Sequence, residues 1–579
     1  MNSEQKTPGR IQIVPGIWIV AGVLLLFAVR IAWGWAHQPY DIKQLAKDFS
    51  SIDAFQKPPV VNHSGTLLGM IHTTPQGVGV FIANVTNKTE QKICDAKDVD
   101  YNPDTAQVFG WSPDDSSFAY CWDFALHFAN NVGEESPSGI QTNHFQSFAW
   151  LSPESCAYID GNPKLAFCEK VHGQWQETAS WPLPATNGKP RSLLAMGTNA
   201  VAWQTDNTLW QMDLSSGEIK PLYNSNPRCS IASVSYSKDA DALLFVESTN
   251  RATVSSLIAL SNGSCITKTT RNLLIRDAQW INKGKGYAYR IVQGETAVLV
   301  AKADEVAPEA PLFPAGQIAH IFGNGDDTRV YAVASNTNNA PSIWRCDTRG
   351  EDVSRLFSPW GFQDMNVHFQ PALVGYAPLG NGHNERFVLI PPANFSRQKK
   401  YPLIIGMQGY DWEIVAHATY SQALAGSGAY VALTGYRYVS SQTLEELLGY
   451  TNNVLAVYNQ LKANPNIDAS RVYLFAFSSS TVVINELVKD YSSRWRGIML
   501  FSPGARLPEA KEETTTRVLV TAGSDEEWLW EQFPIYQEVL CKAGIPMQWY
   551  VHPDSAHIER AQNTMYQRTL LMENMVFEK

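Results

Sequence analysis

Between about residues 58 and 372, apolar and polar residues alternate in short runs separated by polar turns. A period of two is the spacing of strands with one face buried. The clearest unit is Trp111-Ser-Pro-Asp-Asp-Ser-Ser-Phe-Ala-Tyr120, a strand end, a polar turn and an alternating strand. Weaker copies begin at Trp150, Tyr236 and Trp280, with a further one near Leu194 to Trp203. Their starts imply a period of about 42 residues, the length of one four-stranded propeller blade. Outer hairpins of the type Leu209 to Gly217 and Ile343 to Gly350 complete each unit. The pattern therefore predicts a β-propeller of seven blades over residues 58–372, with eight left open by the length of the segment. A closed ring protects its strand edges, so this many strands can stay soluble.

The pattern changes after Phe369. Short apolar runs at Arg386–Pro391, Pro402–Ile405, Tyr430–Leu433, Val472–Phe477, Gly497–Phe501 and Arg517–Thr521 read as buried strands. Tyr420–Leu424, Leu444–Leu461 and Val482–Lys489 read as helices between them. Strands alternating with helices predict a doubly wound, mostly parallel sheet over residues 373–579.

The beginning of the chain belongs to neither pattern. Ile11 to Val29 is almost wholly apolar, near the ~20 residues that cross a bilayer as a helix. Trp18, at the start of its continuous apolar part Ile17 to Val29, and Trp33 and Trp35 beyond its end are placed as interfacial aromatics, and Lys6 and Arg10 precede it, favouring an inward N-terminus. The expected organisation is a cytoplasmic tail and transmembrane anchor (1–36), a linker (37–57), the propeller and the C-terminal domain. A single-pass membrane protein follows, with its bulk outside the cytoplasm, periplasmic or extracellular; a cleaved signal peptide is the alternative, though no good A-x-A site follows the apolar run.

Composition narrows the function. The net charge of −10, with no basic block, argues against nucleic-acid binding. None of the eight cysteines forms a C-x-x-C pair, so a zinc ribbon is unsupported; neither a metal nor a cofactor is expected. Cys156 and Cys168 flank a hairpin turn at Gly161-Asn162-Pro163. This spacing allows them to face each other across it as the disulfide of an exported domain; two buried free thiols is the equal alternative.

The chemistry lies in three islands of the C-terminal domain. The central one, Arg471 to Thr481, is an apolar strand running straight into serines and then a helix. This is the context of a nucleophile elbow, in which G-x-S-x-G is replaced by Ala476-Phe477-Ser478-Ser479-Ser480. The competing reading is a polar N-cap for the following helix. A late histidine, His557, follows the strand around Trp549, with His552 as a competing base. Acids cluster after Val518 to Gly523.

A propeller followed by such a domain resembles the prolyl oligopeptidase family of serine peptidases. Lys400 to Ile405, Tyr436-Arg-Tyr438, Asn466 to Val472 and Phe477-Ser478-Ser479 carry the likeness. The resemblance implies an α/β-hydrolase domain with Ser478 as nucleophile and His557 as base. It places the acid three residues after Gly523, at Glu526, or seven before Gln532, at Asp525; Asp525 is preferred and Glu526 is the alternative. It implies an oxyanion hole from the Ser479 N–H and the loop Gln408-Gly409-Tyr410. The family's glycines are replaced at Ala476, Ser480, Thr481 and Ala556, and its His-Gly-Gly loop is altered. Two functions follow. One is a membrane-anchored serine hydrolase, a peptidase of short peptides or a carboxylesterase, acting through an acyl-enzyme on Ser478. The other is a catalytically silent relative that binds peptides or envelope partners through its propeller. Survival of the serine, acid and histidine in order favours the first; the altered glycines favour the second. Dipeptidyl specificity would need propeller acids, and Glu134-Glu135 is the only adjacent glutamate pair there. Oligomeric state is left open.

Overall fold

The structure is a computed structural model. It describes residues 58–578 apart from 75–76, 96–106, 123, 137, 139, 142–144, 185–187, 250–253, 262, 273, 294–295, 303–309, 314–316, 324–328, 337–338, 359–360, 363–369, 381, 409–418, 436–447, 504–515, 525, 527–533, 535–536, 539–541, 543, 545 and 553–561. The anchor expected at Ile11 to Val29 lies outside the described residues. Among those that are described, no helix is long and apolar enough to cross a membrane.

Val60 to Phe357 forms seven four-stranded antiparallel sheets, each built from four strands consecutive in the chain. Neighbouring sheets pack face to face through apolar side chains. Phe118 and Val80 share one buried cluster between the first and second sheets, and Tyr158 and Phe128 another between the second and third. In the sheets that follow, Trp203 shares a buried cluster with Ile159, Phe245 with Leu209, Trp280 with Leu244, and Val330 with Ile281. Leu68, Met70 and Phe81 of the first sheet pack with Tyr331, Ile343 and Phe357 of the last, closing a propeller-like ring. No strand is exchanged between sheets among the described residues, and apolar burial at this seam holds the first sheet to the last.

The C-terminal domain is one eight-stranded sheet, whose strands are numbered here in chain order. They are β1 (Leu373–Pro378), β2 (Asn384–Ile390), β3 (Tyr401–Gln408), β4 (Tyr430–Gly435), β5 (Ile467–Phe477), β6 (Gly497–Phe501), β7 (Arg517–Gly523) and β8 (Met547–His552). The spatial order is β1-β2-β4-β3-β5-β6-β7-β8. β2 runs antiparallel to both neighbours, and every pairing from β4 to β8 is parallel. Helices α1 (Thr419–Gly426), α2 (Thr451–Leu461), α3 (Thr481–Tyr491) and α4 (Gln562–Phe577) complete the described part. α2 starts after a break at Tyr450, inside the longer helix read over Leu444 to Leu461.

Both faces of the sheet are covered. Leu403, Ile405, Leu474 and Ala476 pack with Val454 and Val457 of α2 and with Ile484 and Leu487 of α3. Ile404, Val431, Tyr473 and Phe475 pack on the opposite face with Leu424 of α1 and Met572 of α4. Double burial explains why the central strands are continuous apolar runs. At the centre, a Cβ on Gly406 would come within 2.1 Å of the Phe475 ring, so glycine at this position leaves room for that ring over β3. β1 is absent from the sequence reading because Leu373, Val374 and Tyr376 are exposed on an edge strand.

Candidate active site

The strand ends fall in line. Gln408 pairs with Gly435, Phe477 with Phe501, Phe501 with Thr521, and Gly523 with His552. Loops after β3, β5, β6, β7 and β8 therefore leave one carboxyl edge, where open α/β sheets place their sites.

β5 ends at Phe477 and passes through a one-turn 3₁₀ segment, Ser478–Ser480, into α3. Ser478 is half-buried and has φ of 52°, the left-handed region that costs a non-glycine residue about 1–3 kcal/mol. A serine held there at a strand-to-helix turn is the geometry of a nucleophile elbow. The plain N-cap reading does not account for it, because cap residues normally keep extended backbone.

The residues in the glycine positions brace this turn. Ser480 and Thr481 are fully buried. Ser480 Oγ accepts the Phe477 N–H at 3.0 Å and donates to the Phe477 carbonyl at 2.5 Å. Thr481 Oγ1 donates to the Ser478 carbonyl at 2.5 Å. Ala476 is fully buried on the α3 side of the sheet. Each small side chain is accommodated, and two of them replace backbone freedom with a hydrogen bond. Ser479 is the middle residue of the turn, at the positive end of α3. Gln408 is the last residue of β3, one strand away. Gly409, Tyr410, Asp525 and His557 lie outside the described residues.

Glu526 is described and is 2% exposed. Its Oε2 accepts the Ser502 hydroxyl and the Gly523 N–H, both at 2.8 Å. Ser502, just past β6, is fully buried and has φ of 45°. Sequence reasoning missed this residue; the signal is a serine directly after the buried strand Gly497–Phe501. It ties the acid's loop to the neighbouring strand end.

His552 closes β8 and is fully buried. Burial first, then the Arg568 charge, depresses its pKa from 6.5 to about 4, against the pull of Gln567 and Glu526. Tyr550 packs on its ring at 4.7 Å and donates to Gln567 at 2.9 Å. A neutral, fully enclosed imidazole does not serve as the base for a substrate-facing serine. It does affect stability. Between pH 6.5 and about 4 the unfolded chain binds a proton that the folded chain refuses. Its contribution is complete above pH 6.5 and is lost as pH falls towards 4, by roughly 2–3 kcal/mol. Melting temperature should decline across that window in the wild type and decline less in His552→Gln. Identical profiles would remove His552 from the account.

Glu134 and Glu135 are both engaged by side chains of their own sheet. Glu135 lies on the fourth strand of its sheet, where it accepts the Tyr120 hydroxyl and faces His127 at 3.5 Å. Glu134 accepts from Asn130 at 2.9 Å.

No family model matches the chain, and no curated protein matches it in sequence. Solved structures do match in fold. An acylaminoacyl peptidase bound to Z-Gly-Gly-Phe-chloromethyl ketone superposes with a TM-score of 0.68 at 12% identity, covering 93% of this chain and 97% of that one. A puromycin-hydrolyzing peptidase of Mycobacterium tuberculosis gives 0.69 at 13%, covering 92% and 95%. A prolyl endopeptidase gives 0.64 at 10%, covering 98% and 95%. At such identities the likeness is one of architecture, and it spans both domains. The ring of four-stranded sheets, the eight-stranded sheet and the strained serine turn thus give this chain the fold of the prolyl oligopeptidase family, in a divergent form.

Proposed function

We propose that the chain is a serine hydrolase that cleaves short peptides through an acyl-enzyme on Ser478. The observation that carries this reading is Ser478 itself, held at φ of 52° between a buried parallel strand and a helix. Strain of this kind is retained where it exposes a nucleophile. In the proposed reaction Ser478 Oγ attacks the peptide carbonyl carbon as the His557 imidazole takes its proton. The resulting oxyanion is met by the Ser479 N–H and by a donor from Gln408-Gly409-Tyr410. The imidazolium then protonates the leaving amine, and water hydrolyses the ester by the reverse sequence. The acid that orients His557 is assigned to Glu526. Its fixed carboxylate at the ends of β6 and β7 supports this over Asp525. Fold likeness to proteins named as peptidases supports a peptide over a simple ester.

The seven four-stranded sheets support reading the first domain as a seven-bladed propeller, one sheet to a blade, that screens substrates by size. The test is turnover of blocked di- and tripeptide anilides, a simple ester and a folded protein by the full chain. The short peptides should be cleaved and the folded protein spared. No turnover of any peptide or ester would defeat the reading.

Anchoring through Ile11 to Val29, with the bulk outside the cytoplasm, is part of the same proposal. It is supported by the apolar run and by Lys6 and Arg10 before it. Protease added to intact cells should remove a propeller epitope. Complete protection, together with release of the chain into the soluble fraction, would contradict the anchor.

A further inference from the structure

The third sheet of the ring holds a cysteine pair in an uncommon relation. Cys156 and Cys168 lie on the adjacent antiparallel strands Ser155–Asp160 and Lys164–Val171, as direct Cα partners. Residues opposed in this way sit about 4.5–5.5 Å apart at Cα, inside the 4.4–6.8 Å that a disulfide spans. Both are fully buried, among Phe128, Phe145, Tyr158 and Trp175. They stand as thiols in mutual hydrogen-bond contact. Among the described residues no third ligand joins them in a group able to hold a metal.

We propose that Cys156 and Cys168 are a disulfide-forming pair that closes while the chain folds outside the reducing cytoplasm. The site takes a dithiol–disulfide exchange protein, or glutathione disulfide, as its oxidant. One cysteine thiolate attacks the oxidant's disulfide and expels a thiolate. The second cysteine then attacks the mixed disulfide, the intramolecular S–S bond forms, and the oxidant leaves as two thiols. Two electrons and two protons pass from the pair to the oxidant. The timing follows from burial. In the folded sheet neither sulfur meets solvent, and burial holds the Cys156 thiol well above its ordinary pKa, so little of the attacking thiolate exists. Closure therefore belongs to the forming hairpin, and the finished bond is shielded from reductants.

The chemistry is independent of the proposed hydrolase activity; its occurrence in cells rests on the proposed placement of the propeller. The experiment is refolding of purified full-length protein in a glutathione redox buffer, followed by peptide mapping without reduction. The expected result is a peptide linking Cys156 to Cys168. Full reduction should then lower the melting temperature of the wild type by several degrees. The double variant Cys156→Ala with Cys168→Ala, refolded in parallel, should be indifferent to reductant. Recovery of the two residues as separate glutathione adducts, as free thiols, or paired with other cysteines would overturn the pair. Closure in the tube with a permanently reduced pair in cells would overturn folding outside the cytoplasm, leaving peptide hydrolysis untouched.

Discussion

Replacing Ser478 by alanine should abolish peptide hydrolysis, a loss of about 10⁴-fold or more in kcat/KM, while the protein keeps its fold. The fold survives because the bonds that brace the elbow come from elsewhere. They use the Ser480 and Thr481 hydroxyls and the backbone of Phe477 and Ser478, all of which remain in the variant. Only the attacking oxygen is removed. An unassisted serine hydroxyl is a poor nucleophile, so His557→Ala should cost a similar factor. Because both act in one step, the double variant should lose little more than either single one. Steady-state kinetics on a short blocked peptide, with circular dichroism as a control for folding, checks this. Additive losses would mean that Ser478 and His557 do not act as a unit.

Neutralising the acid should have the second largest effect. Glu526→Gln keeps the shape of a buried side chain that accepts the Ser502 hydroxyl and the Gly523 N–H. It removes the negative charge that would fix the His557 tautomer and stabilise its cation. A loss of about 10²–10⁴-fold in kcat, with KM little changed, is the expected result. Asp525→Asn should cost far less. The reverse ranking would return the role to Asp525, the residue to which the spacing from Gln532 points. Ser502→Ala should lie between the two, because it loosens the acid without discharging it.

Much of this was legible from one sequence because two periodicities announce themselves. Strand–turn–strand units such as Trp111 to Tyr120 recur with the sheets they build, and the runs Val472–Phe477 and Gly497–Phe501 are too apolar to lie anywhere but inside. The elbow was legible as a context, a strand running into serines and a helix. The Ser478 backbone angle was not, since no side chain announces a left-handed residue the way glycine does. The bonds from Ser480 and Thr481 were hidden for a related reason. A substituted glycine reads as damage until its hydroxyl is seen on the neighbouring carbonyl. Strand Leu373–Pro378 escaped because an edge strand with exposed Leu373 and Tyr376 lacks clean alternation. Ser502 escaped because its role depends on Glu526, which is distant in the chain, and the burial that takes His552 out of contention as a base depends on packing no local pattern announces.

The central claim is that Ser478 is an activated nucleophile. Treatment of the full-length protein with a fluorophosphonate probe, followed by mass spectrometry of its peptides, tests this most directly. The account predicts stoichiometric phosphonylation of Ser478, with no labelling in Ser478→Ala and strongly slowed labelling in His557→Ala. Ser478 left unmodified in folded protein, under conditions that label a known serine hydrolase to completion, would contradict the account and make the chain a binding protein built on a peptidase fold.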